Sequence, residues 1–148
     1  MSIRYLGRLG EAVSLQNRIT NNLSLADVLK SISDDKSLSI FQLIANVNSN
    51  REIILKKLGL TRKQYYSKIS AMMKASLIKR QNGRYYLTPF GKVIYGCTMI
   101  AKKALDNYYN LKAIEATELS GLPNEEIGKL IDFLIDNQQV KQFLTKKC

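Results

Sequence analysis

The sequence predicts a mainly α fold of the α+β class, in which one β-hairpin follows two helices joined by a tight turn. Apolar residues recur three and four positions apart along most of the chain after residue 23, which is the spacing of helices. Gly59-Leu60-Thr61 pairs a residue that accepts the left-handed conformation ending a helix with a threonine that caps the next one. Asn82-Gly83 lies between two short β-prone runs and is a strong hairpin-turn signal.

The charge of the chain is unevenly distributed. A length of 148 residues suits one compact domain with a helical appendage, and the net charge of +11 favours polyanionic partners. Between Arg51 and Lys103, thirteen Lys or Arg residues accompany one acid, Glu52, whereas the rest of the chain carries a net charge of −1. An evenly basic surface would serve solubility equally well, so this concentration favours a binding face.

Several classes of function are excluded by the residues that are missing. The chain contains no histidine, which excludes His-ligated metal sites, Ser-His-Asp triads and a His general base. Cys97 and Cys148 lie in no CxxC pair, and no Gly-rich phosphate loop is present. We therefore expect a protein without enzymatic activity, cofactor or metal. No stretch is apolar enough to span a bilayer or to act as a secretory leader, so we expect a cytoplasmic location and no membrane partner.

The first part of the chain should hold three helices after an N-terminal arm. Residues 1–23 form that arm, either loose or with a short helix at about 11–19. Helices should then cover about 24–32, 36–47 and 51–58, separated by Ser33-Asp34-Asp35 and Asn48-Ser49-Asn50, which are residue types that cap helices. The positions expected to face the core are Leu25, Val28, Leu29, Ile32, Ile40, Phe41, Ile44, Val47, Ile54, Leu55 and Leu58.

A helix from Arg62 to about Ser76 and a hairpin should follow the tight turn. Tyr65, Ile69, Met72 and Met73 form the expected buried stripe of that helix. Its other face presents Arg62, Lys63, Tyr66, Ser67, Ser70 and Lys74. The hairpin should pair residues 77–80 with 84–88.

Two further helices are expected after the hairpin. Thr88-Pro89 supplies a cap and a first-turn proline, and a heptad stripe predicts one helix from Pro89 to about Ala116, although Gly91 and Gly96 weaken its first turns. The stripe consists of Phe90, Ile94, Cys97, Ala101, Ala104, Tyr108 and Leu111. After Gly121-Leu122-Pro123, a last helix should run from Asn124 toward Lys147, with Ile127, Leu130, Ile131 and Leu134 as its apolar face.

This order of elements and three local phrases resemble the winged helix-turn-helix domains of ArsR- and MarR-type regulators, especially their archaeal relatives. The phrases are LKSISDDKSLSIFQLIA at 29–45, LGLTRKQYYSKISAMMKASLIKR at 58–80 and YYLTPFGKVI at 85–94. The resemblance implies a winged-helix domain at 24–90 with a two-stranded wing, and C-terminal helices at 91–148 for dimerisation. Metal sensors of the ArsR type carry a Cys-x-Cys pair in the helix before the recognition helix. The matching stretch, 51–58, has no cysteine, so metal sensing is not implied.

The resemblance further implies a sequence-specific regulator of transcription that binds double-stranded DNA. The second helix of the turn would enter the major groove, and the wing would lie on the backbone. The candidate DNA contacts are Thr61, Arg62, Lys63, Gln64, Tyr66, Ser67, Lys68, Lys79, Arg80 and Arg84. Arg62 and Lys63 would read guanine or hold phosphate, Gln64 would pair with adenine, and Tyr66 would contact a thymine methyl or a phosphate. A merely solvated face remains the alternative for these side chains, and Lys102 and Lys103 are expected to be solvated.

A homodimer would supply two DNA half-sites. The dimerisation candidates are Ile94, Cys97, Ala101, Ala104, Tyr108 and Leu111, with the alternative that this stripe closes the core of a single chain. Cys97 is expected to be a small buried hydrophobe rather than a thiol switch. Two other functions fit the same fold, namely a winged-helix module for protein contacts and an RNA-binding or nonspecific architectural protein.

Overall fold

A computed structural model describes residues 7–11, 22–46 and 50–146. It is mainly helical, with one two-stranded antiparallel sheet in this part of the chain. The chain divides into two compact units, Met1–Lys92 and Val93–Cys148, here called the N-terminal and C-terminal units. The expectations for most of the arm at 1–23, and those for residues 47–49, lie outside the described residues. None of the described helices is long and apolar enough to cross a membrane.

In the part of the N-terminal unit that the structure describes, five helices and the hairpin precede the long helix that begins at Pro89. Its helices are α1 (7–11), α2 (Leu25–Lys30), α3 (Asp35–Asn46), α4 (Arg51–Leu58) and α5 (Arg62–Lys74). The strands are β1 (Ile78–Gln81) and β2 (Arg84–Leu87). The later helices are α6 (Pro89–Asp106), α7 (Tyr108–Leu119), α8 (Asn124–Leu134) and α9 (Gln138–Thr145).

Local side-chain caps begin the helices where the sequence predicts. Ser24 and Asp27 form a reciprocal capping box at the start of α2, and Thr61 and Gln64 form another at the start of α5. Gly59 ends α4 in the left-handed conformation, with φ at 59°. The expected tight turn between α4 and α5 is therefore confirmed.

The core of the N-terminal unit is built from one side of each of the helices α2 to α5. Its fully buried large side chains are Val28, Ile40, Phe41, Ile54, Tyr65, Ile69, Met72 and Leu77. Burial raises the pKa of Tyr65 to about 12, so its phenol stays protonated. Three expectations were wrong, because Leu25, Leu29 and Met73 are exposed. Met73 is rotated about 100° around the helix from Met72, which carries it out of the stripe.

A polar cluster joins the start of α3 to the middle of α5. Asp34 accepts hydrogen bonds from the backbone N–H and the hydroxyl of Ser37, and Lys68 Nζ lies 2.7 Å from Asp34 Oδ1 and 3.1 Å from Ser37 Oγ. Ser37 is buried. The hydrogen bond from Lys68, followed by that from Ser37, holds the pKa of Asp34 well below its usual range. The ion pair therefore fixes the rotation of α5 against α3.

The hairpin leads into α6 through a close backbone contact. Asn82 and Gly83 both have positive φ, 51° and 74°, as the predicted Asn-Gly turn requires. Thr88 Oγ1 then accepts from the N–H of Gly91 and donates to the carbonyl of Ser76. A Cβ on Gly91 would lie 1.9 Å from the carbonyl oxygen of Leu77. A glycine is thus needed at position 91, because any side chain would clash with the backbone of Leu77. In the sequence, Gly91 stands out only as a residue of low helical propensity.

Two helices that the sequence predicts as continuous are each divided in the structure. The predicted single helix from Pro89 to about Ala116 is interrupted at Asn107, whose side-chain amide donates to the carbonyl of Lys103 and competes with the helical pattern. The predicted final helix is divided into α8 and α9 by residues 135–137, and the side chain of Asn137 caps α9.

Three of the C-terminal unit's helices close a small core of their own. Ile114, Ile131, Ile135 and Val140 are buried, and Leu111, Ile127 and Leu134 pack against them. Asn110 Nδ2 donates to the carbonyl of Leu134 at 2.9 Å, which links α7 to α8. Lys141 Nζ lies 3.1 Å from Asp132 Oδ1, which links α9 to α8. Leu111 therefore serves this core, as the alternative reading of the heptad stripe expected.

We predict that Gly91→Ala lowers the free energy of unfolding by about 1–3 kcal/mol, because the methyl group must push the carbonyl of Leu77 aside. Gly96→Ala in the same helix is the control, since a Cβ there meets open space, and it should raise stability by about 0.5–1 kcal/mol. Urea denaturation followed by circular dichroism measures both changes. Equal stability of the two variants would contradict the close contact.

We predict that Asp34→Asn destabilises the fold at pH 7 and that its difference from the wild type shrinks as the pH falls below about 4. The folded-state pKa of Asp34 is lowered, so its ionised form contributes stability above the unfolded-state pKa and loses it in acid. Urea denaturation at several pH values measures the difference. Asp136→Asn, at an exposed carboxylate, is the control. A difference that stays constant from pH 7 to pH 3 would argue against the ion pair.

Candidate nucleic-acid interface

The first two turns of α5 present a basic, solvent-exposed face. Arg62, Lys63, Tyr66 and Ser67 are all exposed, while Tyr65 and Ile69 of the same helix are buried. No acidic residue lies in the first turn of the helix. The structure therefore brings four of the predicted contact residues together on one continuous face.

Two other predicted contact residues, Thr61 and Gln64, form the hydrogen bonds of the capping box. Thr61 Oγ1 accepts from the backbone N–H of Gln64 at 3.2 Å, and Gln64 Oε1 accepts from the N–H of Thr61 at 3.0 Å. Bidentate pairing with adenine requires the same Gln64 oxygen together with its amide nitrogen. Base reading by Gln64 would therefore cost a hydrogen bond that begins the helix.

Lys68 is also engaged within the protein. Its ammonium group is held by Asp34 and Ser37, and only 24% of the side chain is exposed. Contact with a polyanion would have to compete with this ion pair. Lys68 thus differs from Arg62 and Lys63, for which no ion pair is found among the described residues.

The hairpin carries the second group of predicted contacts. Lys79 pairs across the strands with Tyr86, Arg80 with Tyr85, and Gln81 with Arg84. Lys79, Arg80 and Arg84 are exposed. Within the N-terminal unit β1 packs beside α5, so three cations of the hairpin and the basic face of α5 belong to one compact body.

A cleft of about 580 Å³, which no sequence pattern predicted, separates the start of α4 from the hairpin. Its charged and aromatic lining consists of Arg51, Tyr65, Tyr66, Arg80, Arg84 and Tyr85, together with Glu52. Arg51 Nη1 donates to the Tyr66 hydroxyl at 2.7 Å, which raises the pKa of Arg51 further above its usual value. Arg51 and Tyr66 are fifteen positions apart, so no local pattern could have paired them.

The predicted dimerisation residues do not share one environment. Cys97, Ala101 and Tyr108 are exposed, whereas Ile94, Ala104 and Leu111 are half-buried. The expectation that Cys97 is buried was wrong. Tyr108 and Leu111 lie on α7, beyond the break at Asn107, so the six positions do not form a stripe on one straight helix.

The described residues include no group of three or more Cys, Asp or Glu side chains that would hold a metal ion. Comparison of the chain with protein-family models, with curated proteins and with solved structures finds no match.

Proposed function

We propose that the protein is a sequence-specific regulator of transcription with a winged helix-turn-helix fold, in which α5 enters the major groove of DNA and the hairpin lies on the backbone. The order of the turn, α5 and the hairpin supports this fold assignment. The observation that carries the proposal is the exposed face of α5, where Arg62 and Lys63 stand at the helix N-terminus with no acid in the first turn.

The free and the engaged side chains suggest a division of roles. Arg62, Lys63 and Ser67 are exposed at the end of the helix that reaches base edges in this docking mode, and Tyr66 is exposed there as well, although its hydroxyl accepts a hydrogen bond from Arg51. Lys79, Arg80 and Arg84 would position the hairpin on phosphates, which carry no sequence information themselves. Thr61 and Gln64 would act mainly by capping the helix, and Lys68 by orienting it.

Selection of bound duplexes from a random pool, followed by sequencing, tests the proposal. We expect enrichment of one motif, and binding to it at least about a thousandfold tighter than to unrelated DNA. Enrichment of no motif despite tight binding would instead support a nonspecific architectural protein. Failure to bind any duplex would remove DNA recognition and leave the protein-contact module as the surviving alternative.

We predict that Arg62→Ala with Lys63→Ala abolishes binding to the enriched duplex at physiological salt, while circular dichroism stays native. Lys102→Ala with Lys103→Ala removes the same charge from α6 and should change binding little. If the two α5 cations contact phosphate, the slope of log K against log salt falls by about 0.9 for each. If they read guanine, discrimination between sequences falls instead. Undiminished binding by the α5 variant would contradict this face as the interface.

We also propose a homodimer formed through the C-terminal unit. The exposed residues Val93, Cys97, Ala101 and Leu105 follow one another at four-residue intervals and form an apolar row on one side of α6. This row replaces the longer stripe that the sequence predicted across the break at Asn107. Burial of such a row against its symmetry mate would remove apolar surface from water.

We predict that Leu105→Lys raises the dimer dissociation constant at least about tenfold, because it buries an unpaired charge in the interface. Leu119→Lys is the control, since Leu119 is equally apolar and 84% exposed but lies on α7 outside the row. Sedimentation equilibrium at micromolar concentration measures both. A wild-type protein that sediments as a monomer would contradict the dimer.

A further inference from the structure

We propose that the cleft between α4 and the hairpin is a binding site for a small phosphate monoester carried on an aromatic ring, such as a nucleoside monophosphate. This arginine cleft is defined by Arg51, Tyr66, Arg80, Arg84 and Tyr85, and it includes neither Arg62 nor Lys63. Tyr66, Arg80 and Arg84 are shared with the proposed DNA contacts, but binding of a small ligand in the cleft does not require DNA recognition.

The size and lining of the cleft fit a ligand of this kind. Its volume of about 580 Å³ is within the range of small-molecule sites, which is roughly 300–1,000 Å³. Tyrosine rings contribute flat surfaces on which a base can stack. Ile44 and Ile54 add apolar lining at the side of α4. The cleft thus combines cations with aromatic surface, as recognition of a phosphate on a ring requires.

Arg51 supplies the most specific observation. Its Nη1 donates to Tyr66 and its Nη2 lies 3.8 Å from a Glu52 carboxylate oxygen. Its Nε is buried and finds no hydrogen-bond partner in the described part of the chain. A buried donor without a partner is destabilising, so a small rotation of the guanidinium that exposes Nε to an oxyanion in the cleft would be favoured. The guanidinium presents its donors in a fixed fork that matches phosphate oxygens.

The charge of the cleft favours phosphate over carboxylate. Arg51, Arg80 and Arg84 line it against the single acid Glu52, a balance of +2. A phosphate monoester carries a charge of about −1.5 to −2 at neutral pH, whereas a carboxylate carries −1. The monoester therefore neutralises the cleft more completely.

Titration calorimetry of the full-length protein with adenosine monophosphate, inorganic phosphate and adenosine tests the proposal. We expect the monophosphate to bind with a submillimolar dissociation constant, inorganic phosphate to bind more weakly, and adenosine to give no heat. Arg51→Lys keeps the charge but loses Nε and the fork, and it should weaken monophosphate binding at least about tenfold. Arg84→Gln should also weaken monophosphate binding, and it provides the test if Arg51→Lys does not fold.

Two controls separate this site from the DNA interface. Lys56→Ala removes an exposed cation of α4 that does not line the cleft, and it should leave monophosphate binding unchanged. Arg62→Ala with Lys63→Ala should bind the monophosphate as the wild type does, even if it no longer binds duplex. Absence of monophosphate binding, or equal binding by wild type and Arg51→Lys, would overturn the proposal. If the wild type does not bind the monophosphate and Arg51→Lys loses affinity for duplex, the proposal is also overturned. The cleft would then bind a phosphate of the DNA backbone.

Discussion

The burial of Tyr65, Ile69 and Met72 is the constraint on which the exposed surface of the N-terminal unit depends. These side chains occupy one side of α5 and are almost completely excluded from solvent, so the helix can pack in only one rotation without exposing them. Lys63 and Ser67 lie across the helix from this stripe and therefore face outward. The ion pair between Lys68 and Asp34 acts at the edge of the same stripe and adds a second fixed point. A surface cation is therefore positioned by apolar contacts on the far side of its own helix.

Features determined by neighbouring residues could be predicted from the sequence, because their physical cause is local. The caps at Ser24 and Thr61 use side chains that reach backbone groups only three positions away. The turn at Asn82-Gly83 depends on residues that accept positive φ. The mainly helical character, the hairpin and the basic face of α5 follow from such signals and from periodicity. Most of the secondary structure could be predicted in this way. So could the exposure of four of the ten predicted DNA contacts as a group on one helix.

Features determined by distant residues could not be predicted. Gly91 carries no sequence signal for the close approach of Leu77, and its low propensity suggested a weak helix start instead. The heptad stripe runs through Asn107 without a change in spacing, yet α6 ends at Asp106, where the side-chain amide of Asn107 bonds to the carbonyl of Lys103. Arg51 meets Tyr66 only because α4 and α5 are folded together. Periodicity records which side of a helix is apolar but not where a polar side chain competes with the backbone.

Net charge alone overstates the number of cations available to a polyanion. Lys68 belongs to the acid-poor segment by sequence, but it is paired with Asp34 from outside that segment. Arg51 donates a hydrogen bond to Tyr66, lies near Glu52 and has a buried Nε, so it is engaged within the protein in a way that the exposed Arg62 is not. The cations of the segment therefore differ in their surroundings: Lys68 helps to hold the fold together, Arg51, Arg80 and Arg84 line the cleft, and Arg62 and Lys63 are exposed on α5. Arg62 and Lys63 have no ion pair among the described residues, so they can reach the phosphates of an extended backbone without first breaking one.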